Sequence, residues 1–136
     1  MTGRVAVQTD AAPAAIGPYS QAIRAGRLIF CAGQVGADPQ TGVLADGVAA
    51  QADRALNNVA AVLAAAGSGL DRVVKTVIFL VDIDDWAAVN EIYARHLAAP
   101  YPARSTVAVK ALPKGALVEI EVVALANDAS EEPERS

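Results

Sequence analysis

Histidine, cysteine and aromatic residues are nearly missing from this chain, and each shortage removes a class of chemistry. A single histidine, His96, cannot build a multi-histidine metal site or a His-Glu-x-x-His helix. A single cysteine, Cys31, excludes an intrachain disulfide and agrees with a reducing compartment. It stands in an apolar stretch with no histidine near it in sequence, so it reads as a small buried hydrophobe rather than a thiol nucleophile. With one Trp, three Tyr and two Phe in a chain that is 54% apolar, the interior must be built from Val, Leu, Ile and Ala. No phosphate loop ending in Gly-Lys-Ser or Gly-Lys-Thr is present. Nor does any segment approach the ~20 apolar residues that span a bilayer. The stretch Met1–Asp10 has no apolar run of signal-peptide length, so the expectation is a cytoplasmic protein. Basic charge is short as well: 11 Lys and Arg against 15 Asp and Glu, net −4, with no basic stripe. The footprint of a phosphate-backbone binder is missing, and neither nucleic acid nor membrane is an expected partner.

What is there fits one domain. The 136 residues suit a single core over 1–126, followed by an acidic, disordered tail over 127–136, where Asp128–Ser136 holds four acids and a proline. Ala22–Ala25 and Leu28–Ala32 flank Gly26-Arg27 as a hairpin. Residues Gly33–Gly47, rich in Gly, Asp, Pro and Thr, read as a loop. Val48, Ala52, Leu56, Val59, Leu63 and Ala66 recur at steps of three and four, which predicts a helix capped by Asp46 and Gly67. Its polar face would carry Gln51, Asp53, Arg54, Asn57 and Asn58. A second helix is expected from about Asp84 to Leu97, with Trp86, Val89, Tyr93 and Leu97 as its apolar stripe, lying beside the first. The β-branched run Val73–Val81 predicts a strand covered on both faces. Since both helices cover one face, the other is expected to be buried by further subunits. Pro100 and Pro102 hold the chain extended before a short strand over Ser105–Val109. After a turn at Leu112–Gly115, Leu117–Leu125 alternates as the clearest strand, with Val118, Ile120, Val122 and Ala124 on one face.

Several polar residues stand where packing does not require them. Arg104 follows two prolines and opens a strand, a stiff base for a bidentate grip on a carboxylate. Glu119 and Glu121 share a strand face about 7 Å apart, and either could move a proton. Tyr19 follows a turn that could aim its hydroxyl into a cleft, and Asn90 lies beside the apolar stripe of the second helix. The plain alternatives are a surface arginine, solvated glutamates, a packing tyrosine and a satisfied structural amide.

The motifs Ala14-Ala-Ile-Gly-Pro-Tyr-Ser-Gln-Ala22, Cys31-Ala-Gly-Gln-Val35, Val48-Ala-Ala-Gln-Ala52, Val74-Lys-Thr-Val77, Tyr101-Pro-Ala-Arg-Ser-Thr106, and Leu112-Pro-Lys-Gly followed by Val118-Glu-Ile-Glu121 occur in one order over about Ala12–Ala126. In this the chain resembles the RidA (YjgF-like) family of reactive intermediate deaminases. The resemblance implies an α+β fold like that of chorismate mutase, a mixed β-sheet with two helices on one face, assembled as a homotrimer with clefts between subunits. It implies hydrolysis of 2-imino acids or enamines to 2-oxo acids and ammonia, of the 2-iminobutanoate/2-iminopropanoate deaminase type, with no cofactor and no metal. Arg104 would bind the substrate carboxylate, Glu119 would position or activate water, and Tyr19, Gly33 and Asn90 would line the cleft. Two positions depart from the family pattern: Thr106 stands where many members acting on small imino acids have cysteine, and Ala32 where serine is frequent. Both bear on substrate range. They also motivate a second expectation, a 2-oxo acid binding or regulatory protein without useful turnover. The ribonuclease or translation-inhibitor label that some members carry is disfavoured by the charge balance.

Overall fold

The computed structural model of the protein describes residues 3–127. Its elements in chain order are β1 (Val5–Val7), β2 (Ala22–Ala25), β3 (Leu28–Val35), α1 (Val48–Ala65), β4 (Val73–Leu80), α2 (Trp86–His96), β5 (Ala103–Ala108) and β6 (Val118–Leu125). They form one six-stranded sheet in the order β1-β2-β3-β6-β4-β5. All neighbours are antiparallel except β4 and β5, whose parallel pairing requires the crossover that α2 supplies. This is the expected mixed α+β architecture, with both helices on one face. Beyond Asn127, the expected acidic tail lies outside the described residues.

The alternation read over Leu117–Leu125 places Val118, Ile120, Val122 and Ala124 in the core at the centre of the sheet. Over them lies α1, whose Ala52, Ala55, Leu56, Val59, Val62 and Leu63 are fully buried. The alanines let the helix settle close to the sheet, and each buried Val or Leu contributes about 1.5–3 kcal/mol. At its end Ser68 N–H donates to Leu63 O and Gly67 N–H to Ala64 O, with Gly67 at φ 79°, the left-handed turn that glycine allows. Beside α1 runs α2, tied to it by His96 Nε2 and Asp53 Oδ1, 2.7 Å apart. No described helix is long and apolar enough to cross a membrane.

Several expectations need correction. Asp46 does not cap α1; Gly47 does, at φ 91°, with no side-chain cap bond. Gln51 and Asn58 are not on a wet face, being only 5% and 2% exposed. Asn58 Nδ2 donates to Val35 O and Ala37 O, while Gln51 accepts from Leu117 N–H and donates to Ala45 O. Each amide satisfies loop backbone that the core would otherwise strand without partners. Trp86, expected in the apolar stripe, is 52% exposed, and Ile92 packs inward beside Val89, Tyr93 and Leu97. The strand β3 runs on to Val35 through residues read as loop, β5 starts at Ala103 rather than Ser105, and β1 was not anticipated. Within one chain β4 is covered on one face only. Thr76, Ile78 and Leu80 are buried under the helices, whereas Val74, Val77 and Phe79 stay partly open, as do Phe30 and Val107 alongside.

Candidate active site

Glu119 sits on β6 between Val35 of β3 and Phe79 of β4, on the sheet face away from the helices. A bulge beside it shapes the site. Cys31 pairs with Val122 and Gln34 with Ile120, so Ala32 and Gly33 together oppose the single residue Glu121. At Gly33 an added Cβ would lie 2.8 Å from Cδ and Oε2 of Glu119 and 2.9 Å from its Cγ. Only glycine leaves room for the carboxyl group there. Burial, and after it the neighbouring Glu121 carboxylate, pushes the Glu119 carboxyl above the ordinary glutamate range.

The cleft around Glu119 has a volume of about 530 Å³ and is lined by Pro13, Tyr19, Gly33, Pro39 and Lys114 among others. Its wall is held by Gln21, which accepts from Thr9 N–H and donates to the carbonyls of Thr9, Ala12 and Pro13. Tyr19 is exposed, and its hydroxyl accepts a long 3.4 Å bond from Ile16 N–H. Ala32 is half-buried, its N–H donating to Gln21 O, and is not among the lining residues.

Arg104 lies elsewhere. On the edge strand β5 it pairs in register with Thr76 and so points to the helix side. There it lines a hollow of about 320 Å³ with Asn90, Tyr93, Ala94, Tyr101 and Pro102. Its guanidinium lies 5.0 Å from the centre of the Tyr93 ring and has no hydrogen bond or ion pair with any described residue. Two residues on, Thr106 shares that face, and its Oγ1 is buried without a hydrogen-bond partner among the described residues. A third hollow, lined by Asp71, Arg72, His96 and Pro100, holds none of the expected site residues.

The structure thus groups Tyr19, Gly33 and Glu119 in one cleft and Asn90 and Arg104 in another. Thr76 and Phe79, the register partners of Arg104 and Glu119, are three residues apart on β4. Their side chains leave opposite faces, and the two positions are separated by about 10 Å across the sheet and about 10 Å along it. One copy of the chain cannot close both groups on one small molecule.

A family model described as Endoribonuclease L-PSP matches residues 9–126. The chain belongs to this family. Among L-PSP relatives, the human 2-iminobutanoate/2-iminopropanoate deaminase is 48% identical over 123 residues, 90% of this chain and 90% of that one. The crystal structure of RidA from the Antarctic bacterium Psychrobacter superposes with a TM-score of 0.87 at 46% identity, covering 89% of this chain and 98% of that one. That of E. coli TdcF with bound serine gives 0.85 at 39% identity, covering 90% and 99%. The L-PSP fold is therefore shared over nearly the whole chain.

Two residues lining these clefts carry more than their sequence shows. Tyr93, placed in the apolar stripe, also underlies Arg104; its step of three from Asn90 on α2 was the available signal. Gln21 lies within one of the sequence motifs, and nothing local shows an amide that holds a loop twelve residues away.

Proposed function

We propose that this protein hydrolyses 2-imino acids, or their enamine tautomers, to 2-oxo acids and ammonia, in clefts formed where copies of the chain meet. The observation that carries the reading is Glu119, a carboxyl group pushed up by burial and given its space by the bulge at Gly33. A raised carboxyl exchanges protons closer to neutral pH, which suits a general acid–base. The name of the human relative supports the reaction class. Arg104 would hold the substrate carboxylate, because none of its donors is taken by a described residue. Asn90 would bind beside it. Tyr19 would line the reacting side, and Gly33 would let substrate approach the backbone.

The chemistry needs no cofactor. Protonation of the imine nitrogen makes its carbon electrophilic, and water bonds to that carbon while Glu119 takes a water proton. Glu119 returns the proton to nitrogen, the C–N bond breaks, and the carbonyl forms as the hydroxyl proton leaves with ammonia. Binding both partners in place supplies much of the acceleration.

Because Arg104 and Glu119 leave opposite faces, the reading requires Arg104 from one protomer and Glu119 from its neighbour. The open apolar face carrying Phe30, Val77, Phe79 and Val107 supports an assembly, which we take to be a homotrimer. Thr106, with its unpartnered hydroxyl, and Ala32 would tune substrate range. The same two residues favour the second reading, 2-oxo acid binding without turnover. The family's endoribonuclease description fits poorly with 11 basic against 15 acidic residues.

Mixing subunits tests the proposal. Arg104→Ala and Glu119→Gln should each abolish loss of freshly generated 2-iminobutanoate, yet co-refolded in equal amounts they should regain about a quarter of the wild-type sites. No recovery in a properly assembled mixture refutes the shared cleft. A wild type that binds 2-oxobutanoate without hydrolysing the imine establishes the second reading.

A further inference from the structure

We propose that Tyr93 is the positioning residue for Arg104, and that its hydroxyl bond to Thr76 sets the plane on which the guanidinium rests. The proposal rests on Arg104 being the carboxylate clamp. Tyr93 comes from α2 and is only 5% exposed. Its hydroxyl lies 3.0 Å from Thr76 Oγ1, itself buried on β4. Thr76 is the register partner of Arg104, so this bond joins the helix to the sheet at the strand position beside the arginine. The ring then lies 5.0 Å from the guanidinium carbon, within the range of a cation–π contact.

The choice of an aromatic support has a chemical reason. A carboxylate under Arg104 would occupy two of its five donors and offset its charge, leaving a weaker clamp. A ring face attracts the cation and takes no donor. Arginine on an exposed edge strand otherwise has wide rotamer freedom, which a ligand would have to remove on binding. Phenylalanine would provide the same face, yet it would leave the buried Thr76 hydroxyl without its partner and the ring without its tether.

Tyr93→Leu, Tyr93→Phe and Thr76→Val, each with and without Arg104→Ala, test this by two readouts. The first is the NMR shift of the Arg104 side-chain protons, moved upfield by the ring beneath them. The second is kcat/KM for 2-iminobutanoate together with calorimetric affinity for 2-oxobutanoate. Tyr93→Leu should abolish the upfield shift and weaken affinity and kcat/KM by about 2- to 30-fold. In the Arg104→Ala background, where no turnover is left to read, it should leave the residual 2-oxobutanoate affinity unchanged, because it acts through the arginine. Tyr93→Phe and Thr76→Val should each reduce the shift and weaken binding about threefold, with the double variant no worse than either. These two conserve volume and carry the test if Tyr93→Leu does not fold. An unchanged Arg104 shift, or an equal loss of 2-oxobutanoate affinity in both arginine backgrounds, overturns the proposal. If the wild type hydrolyses no imino acid, the deaminase reading fails while the shift and the oxo-acid affinity still decide the role of Tyr93.

Discussion

Replacing Gly33 by alanine should separate the chemistry of the site from its stability. The new Cβ would lie 2.8 Å from Cδ and Oε2 of Glu119, far inside contact distance, so one of the two must move. The group in the way is the far end of a flexible side chain, so the carboxyl swings aside and the strands keep their places. The folding cost then falls at the lower end of the overpacking range, about 1 kcal/mol. For a chain of this size that lowers the melting temperature by about 3 °C. Displacing a general acid–base should cost about 10²- to 10⁴-fold in rate. Gly36→Ala is the contrast, because its Cβ would lie 2.3 Å from Gln51 O and 2.5 Å from Gln51 Cα, both backbone atoms of α1. No rotamer relieves that clash, and a destabilisation of roughly 3 kcal/mol or more is expected. Calorimetric melting and initial rates on freshly generated 2-iminobutanoate check both variants. A Gly33→Ala protein with a rate near wild type, or one that melts as early as Gly36→Ala, refutes the reasoning.

Glu119 also makes stability depend on pH. Its folded pKa is raised above the ordinary value of 4.5, so the folded chain holds that proton more tightly than the unfolded one. Stability attributable to this group is greatest at acid pH, falls as pH rises through 4.5 to the raised value, and stays lower above it. Glu119→Gln should therefore melt above wild type at pH 7, with the gap closing below about pH 4, in paired thermal scans. Asn58→Leu strands the carbonyls of Val35 and Ala37 and should lower the urea midpoint by the equivalent of about 1–3 kcal/mol. Cys31 is buried, and burial followed by Glu121 pushes its thiol up to about 12, so iodoacetamide at pH 8 should label the protein only after unfolding, as read by mass spectrometry.

Much of the fold was legible because it rests on local periodicity. Two-residue alternation in Leu117–Leu125 and three-and-four spacing from Val48 to Ala66 each define a buried face without reference to the rest of the chain. The strand β1 escaped because three residues carry too little pattern, and the end of β3 because glycine beside a bulge looks like a loop. Gln51 and Asn58 were read as wet because polarity alone does not show that unpaired loop backbone lies against them.

The site divides the same way. By itself the sequence determined five of the six strands, the helices and the chemical character of Arg104, Glu119, Tyr19 and Asn90, since residue type and flanking prolines are local facts. Only the tertiary structure decided that Arg104 and Glu119 leave opposite faces of one sheet. That is a matter of register between β5, β4 and β6, set by pairing of segments distant in the chain.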